Sequence, residues 1–190
     1  MFKLDDNLKT AIAKMPVKEK DKLLLRLVAK DEKLVNRLIF ELLEGGETRD
    51  ERAETLRKEM AADITKQKKY DFFSPGYLLM MMRFWNARIA EHVQTTKDKV
   101  GEVSLTFFLL AESFRVHRPM LDTHPTRRSD TLAPYMVKRT ESILKKAEKI
   151  HEDYRIELRD DAQTMLDHIW SFPPTAELAA QLHLPRHWEI

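Results

Sequence analysis

The chain has 190 residues, no cysteine, and 33 Lys or Arg against 31 Asp or Glu, for a formal charge of +2. That length can bury a hydrophobic core without covalent staples. Without cysteine, disulfides, zinc–thiolate sites, iron–sulfur clusters and thiol nucleophiles are all excluded, and a reducing compartment is expected. The near-neutral balance gives no global drive towards nucleic acid or an anionic membrane. Four glycines are too few for the tight turns of a sheet fold or for a glycine-rich phosphate loop. Residues 1–6 contain no apolar run that could serve as a signal peptide, and no apolar run approaches the roughly 20 residues that span a bilayer. A cytoplasmic protein without membrane contact is expected.

Apolar residues recur with a period of 3.6 almost throughout, and the punctuation consists of helix caps. A first short helix is predicted over residues 6–15, with Leu8 and Ile12 on one face. Pro16 suits the first turn of a second helix carrying Leu23, Leu24, Leu27 and Val28. Asp31 then restarts the chain as an N-cap. The third helix carries Leu34, Val35, Leu38, Leu42 and Leu43, and Gly45-Gly46 stops it in left-handed conformation. Residues 16–44 resemble a single HEAT-type helical hairpin, although a solenoid would repeat the unit several times.

Thr48 and Glu51 form a capping box for a fourth helix over residues 48–69. Its apolar stripe (Ala53, Leu56, Met60, Ile64) is narrow, which suggests a helix lying across a surface or reaching a partner. Ser74 and Pro75 open the next helix, whose run Tyr77-Leu78-Leu79-Met80-Met81-Met82 and Phe84-Trp85 is apolar around most of its circumference. Residues 75–93 are therefore expected to be the central post. Asp98 caps the following helix, centred on Val103, Leu105, Phe107, Phe108, Leu109 and Leu110. Residues 73–117 should form an antiparallel core hairpin.

Pro119 and Pro125 predict a loop over residues 118–131. From about Leu132 an apolar stripe runs through Met136, Ile143, Ala147, Ile150, Tyr154 and Leu158 to Met165 and Ile169. It is either one long helix or, as Asp160-Asp161 favour, two with a break there. Thr175 to Leu182 resembles the first helix of a helix-turn-helix DNA reader. However, His183 stands where that turn usually has Gly, and too few residues follow for a recognition helix. The segment is read instead as docking Leu178, Leu182 and Trp188 onto the body.

The expected architecture is thus all-α, with about eight helices in one domain over 1–190. The helices would form consecutive antiparallel hairpins, an irregular bundle or a short HEAT-like array. The domain would comprise charged N-terminal helices (1–72), the core hairpin (73–117), the basic loop (118–131) and a C-terminal helix or helix pair with a tail (132–190).

Four constellations bear on function. Glu148 and His151 make one Glu-x-x-His spacing, but a di-iron bundle needs two, and Arg155 stands where a zinc-protease helix has its second histidine. No metal and no cofactor are expected. On the edge of the core hairpin, Arg83, Arg88 and Glu91 should approach Glu112 and Arg115, with His117 at the mouth. Arg83, Glu112, Arg115 and His117 are therefore the candidate ligand-binding set. Arg118, Arg127, Arg128, Lys138 and Arg139 form a basic region that could contact phosphate, though it lacks the interleaved aromatics of single-strand binders. Finally, the helices at 48–69 and 136–169 offer faces for a protein partner or a second copy. The leading expectation is a non-catalytic helical interaction protein. A nucleic-acid-associated protein using residues 115–139 is the alternative, and an enzyme on the 83–117 edge comes third.

Overall fold

The computed structural model describes residues 3–67, 74–124 and 131–189, and among these the chain is all-α. The helices are α1 (Asp6–Lys14), α2 (Val17–Val28), α3 (Glu32–Leu38, running into a π-helical turn at Ile39–Leu43), α4 (Arg49–Gln67), α5 (Pro75–Thr96), α6 (Lys99–Thr123), α7 (Leu132–Ala147), α8 (Glu152–Glu157), α9 (Arg159–Ser171) and α10 (Pro173–Gln181). No described helix is long and apolar enough to cross a membrane.

The chain falls into two compact units, Met1–Gly46 and Glu47–Ile190. The first unit has the expected Asp31 cap and Gly45-Gly46 stop, and Asp5 adds a cap for α1. Asp5 and Asp31 accept the amides of Asn7 and Leu34, and the unit closes on Gly45 and Gly46 at φ of +62° and +77°. Its one described buried side chain is Phe40, which packs against Gly46.

In the second unit α6 is the central post, not α5. Every residue from Val100 to Phe114 is at least half-buried, and α4, α5, α7 and α9 all pack on this helix. Helix α5 instead keeps one side in solvent, with Tyr77, Met80 and Phe84 at i, i+3 and i+7 exposed. The difference comes from polar residues. Thr106, Ser113 and His117 are buried in α6, so its buried circumference is wider than its apolar pattern. The narrow stripe of α4 (Leu56, Met60, Ile64) also lies in this core. Arg88–Glu59 at 3.7 Å and Trp85 Nε1–Asp63 at 2.8 Å place α4 antiparallel to α5.

The loop expected over 118–131 does not begin at 118, because α6 continues through Pro119 to Thr123. An interior proline costs about 3 kcal/mol, but Val116 and Leu121 flank it in the core, and each buried aliphatic side chain returns about 1.5–3 kcal/mol. An Arg118–Asp122 ion pair one turn apart braces the same stretch. Pro125, Arg127 and Arg128 lie outside the described residues.

The stripe from Leu132 to Ile169 is carried by three helices rather than one or two. The anticipated break is present, with Asp160 and Asp161 in the first turn of α9. A second break follows Ala147, where Lys149 and Ile150 turn tightly back onto Lys146 and Ala147 and His151 starts α8 by accepting the Asp153 amide. No glycine or proline announces it. Helix α10 starts at Pro173, and the buried Thr175 hydroxyl bonds the carbonyls of Ile169 and Phe172. At its end His183 takes the left-handed turn at φ +54°, and the Leu184 amide reaches back to Ala179. Leu184 and Trp188 are buried, while Leu182 is exposed.

The α5–α6 corner is held by a buried pair. Asp98 Oδ1 accepts the Gly101 amide at 2.7 Å and Oδ2 lies 3.2 Å from His92 Nε2, with both side chains 6% exposed. Lys97 turns the chain at φ +60°. A methyl group on Gly101 would sit 2.0 Å from Asp98 Oδ2, so glycine is required here for space. Gly101→Ala is expected to expel the carboxylate and cost about 2–3 kcal/mol in urea unfolding. Burial pushes the Asp98 carboxyl up, but the hydrogen bonds from His92 and Gly101 and the charges of His92 and Arg49 outweigh it and hold the group below its usual 3.8. The pair's stabilisation is thus present above pH 3.8 and is lost as pH falls through the lower folded-state value. Asp98→Asn should remove that component from the acid-unfolding curve.

Candidate functional site

The structure separates the four residues expected on the hairpin edge. Arg83 is exposed on α5, its guanidinium 5.7 Å from the Tyr135 ring centroid, and no described carboxylate lies within ion-pair distance of it. Arg88 pairs with Glu59 of α4. His117 is buried in the core, 2% exposed. Glu112 and Arg115 do meet, one turn apart on α6, through two bonds of 2.7 and 2.5 Å.

That pair forms one wall of a cleft of about 150 Å³ between α6 and α9. The floor is Phe107, Phe108 and Ala111, and the opposite wall is Asp161, Thr164 and His168. Two turns of α9 supply the second wall. Asp161, Thr164 and His168 recur at i, i+3 and i+7, while Ala162, Met165 and Ile169 face the core. Arg57 closes one end, lying 4.5 Å over the Phe108 ring and 3.7 Å from Asp161.

The electrostatics of the cleft are settled by these partners. The Arg115 hydrogen bond holds the Glu112 carboxyl below the ordinary range against the effect of burial, so it stays ionised. Burial, reinforced by the charges of Arg118 and Arg115, lowers the His168 imidazole from its usual 6.5 despite Asp167 and Glu112. The ring stacks on Phe114 at 5.9 Å with planes 7° apart. Neither ring nitrogen of His168, nor the Thr164 hydroxyl, has a hydrogen-bond partner among the described residues. Thr164 and His168 share no hydrogen bond, so the pair lacks the nucleophile–base contact of acyl-transfer sites. The arrangement offers binding groups.

A second hollow of about 350 Å³ lies among α4, the start of α6 and α8, with Arg49, Arg57, Asp98, Tyr154 and Glu157 in its walls. Its charges are largely consumed within the fold, by Arg49–Asp50, Arg57–Asp161 and Asp98–His92.

The basic region is dispersed rather than gathered. Arg118 spans from Asp122 to Ser171 of α9 and lies over the Phe172 ring. Arg139 reaches Thr106 of α6. Lys138 is exposed on α7, while Arg127 and Arg128 lie outside the described residues. Glu148 and His151 fall at the end of α7 and the start of α8. Among the described residues, no group of three or more His, Asp or Glu side chains could hold a metal ion.

Sequence reasoning missed Thr164 and His168. Their signal was a polar i, i+3, i+7 stripe beside the apolar one, but nothing in the sequence says that α6 faces it. Compared with protein-family models, curated proteins and solved structures, the chain finds no match.

The lowered His168 value has a measurable consequence. In the folded chain the imidazole should titrate below pH 6.5 in an NMR titration. Its contribution to stability is present above that pH and lost as pH falls through the folded value. His168→Gln should flatten that part of the stability profile.

Proposed function

We propose that this chain is a non-catalytic helical interaction protein and that its docking surface is Met1–Gly46, which binds another protein or a second copy. One observation carries the reading. Helices α1, α2 and α3 contain no buried residue, while Leu24, Leu25, Leu27, Leu42 and Leu43 are 52–79% exposed.

Helices shorter than about 12–15 residues are marginal in water alone, and α1 and α2 have nine and twelve residues. Their stability has to come from burying an apolar face, at about 1.5–3 kcal/mol for each large aliphatic side chain. Leu4, Leu8 and Ile12 make one such face on and just before α1, and Val17, Leu24 and Leu27 make another on α2. Exposed apolar surface of this extent is typical of interaction sites. The faces first expected to serve, on 48–69 and 136–169, have most of their stripes inside the core of Glu47–Ile190, the exposed Tyr154 excepted. The docking role therefore falls to the amino-terminal unit. The nucleic-acid alternative is weakened because Arg118 and Arg139 are engaged within the fold.

Light scattering and hydrogen exchange on the purified full chain test this reading. Amides of α1 and α2 should exchange rapidly in the monomer and become protected on association with a copy or a partner. Leu24→Glu with Leu27→Glu should abolish the association while leaving the thermal unfolding of Glu47–Ile190 unchanged. Core-like protection of α1 and α2 in a dilute monomer would overturn it.

A further inference from the structure

The α6–α9 cleft has a composition that the interaction reading does not use. At about 150 Å³ it holds roughly five water volumes of about 30 Å³ each, the size of a short acyl chain or a single small ring. Its floor is apolar and its rim is polar, the division found in small-molecule sites.

We propose that this cleft binds a small organic carboxylate, with the carboxylate end held by Arg115, Thr164 and His168 and the apolar end on Phe107, Phe108 and Ala111. The groups still free to act select this chemistry. Both rim acids are already partnered, Glu112 by Arg115 and Asp161 by Arg57, so the cleft does not call for a cation. Arg115 uses its Nε and one Nη in the two bonds to Glu112, which fixes the guanidinium and leaves donors on its outer edge. The Thr164 hydroxyl, at the open edge, and the neutral His168 imidazole add one donor each. The rim thus holds two acids matched by two guanidiniums, with Thr164, His168 and the outer N–H groups of Arg115 as its unspent donors, which suits one carboxylate better than a doubly charged phosphate. Stacking on Phe114 fixes the imidazole plane, so little order has to be imposed on binding.

An anion beside His168 favours its protonated form. Affinity should therefore rise as pH falls below 6.5, with Arg115, Arg118 and Glu112 of α6 and Asp161 and Asp167 of α9 setting the background field.

Benzoate titrated into the ¹⁵N-labelled full chain provides the test. Saturable amide shifts are expected at Ala111, Thr164 and His168, stronger at pH 6 than at pH 8. Arg115→Gln should weaken binding about tenfold, the loss of a charge-assisted hydrogen bond. Thr164→Val, a rim change that leaves the Glu112–Arg115 pair intact, should weaken it less. Benzyl alcohol and benzamidine, of similar shape but neutral and cationic, should give no saturable shift at these residues. The proposal is overturned by absence of saturation with benzoate, by indifference to both variants, or by equal binding of benzyl alcohol, benzamidine or inorganic phosphate. Self-association measured on the same variants should not change, which keeps this test separate from that of the interaction surface.

Discussion

Helix α6 has no fully exposed residue between Val100 and Phe114, and the rest of Glu47–Ile190 is arranged to meet that constraint. A helix buried on every side needs neighbours on every side, and α4, α5, α7 and α9 supply them. The carboxyl-terminal tail completes the enclosure, with the Trp188 ring set edge-on to Phe107 at 6.5 Å. Gln163 fixes the tail by bonding Arg186 and Trp188, and Trp170 by bonding Pro185. The same demand explains why α6 runs through Pro119. The apolar residues on either side gain more from burial than the missing hydrogen bond costs.

The corner at His92, Asp98 and Gly101 shows how such a helix is started. Two long helices joined by two residues need a sharp reversal, a cap for the new helix and a way to bury the polar groups involved. Asp98 caps α6 and meets His92 with its other oxygen, while Gly101 leaves room for that carboxylate. An unpaired buried charge would cost several kcal/mol, at roughly 3–5 for a broken pair. Each member of the corner therefore depends on the others, and a change at one is felt by all.

The two units divide the available apolar surface unequally. Glu47–Ile190 buries most of its apolar stripes, Tyr77, Met80 and Phe84 of α5 excepted, and leaves polar groups at its seams, of which the α6–α9 cleft is one. On its rim Glu112 and Arg115 pair with each other and Asp161 with Arg57, while Thr164 and His168 make no hydrogen bond among the described residues. Met1–Gly46 has the opposite character, with well-formed caps and exposed leucines. Its local order is encoded by its caps, and much of its apolar side-chain surface is exposed.

Much of this was legible along the chain. Asp31, Gly45, Gly46, Ser74, Pro75 and Asp98 mark their helix ends because capping is a local matter of backbone donors, acceptors and φ. The all-α class followed from period 3.6 and scarce glycine. What the sequence could not supply was the partner of each face. Apolar count favoured α5 as the post, yet burial went to α6, because Thr106, Ser113 and His117 carry no hydrophobic signal and are nonetheless enclosed. Arg83 and Glu112 were expected together, but Arg83 lies over Tyr135 of α7 while Glu112 lines a cleft with α9. By itself the sequence determined where most helices start and stop and which side chains neighbour each other within a turn, since those interactions span four residues or fewer. Only the tertiary structure decided which faces meet, and with that which polar groups are left unclaimed, because such pairings join residues tens of positions apart.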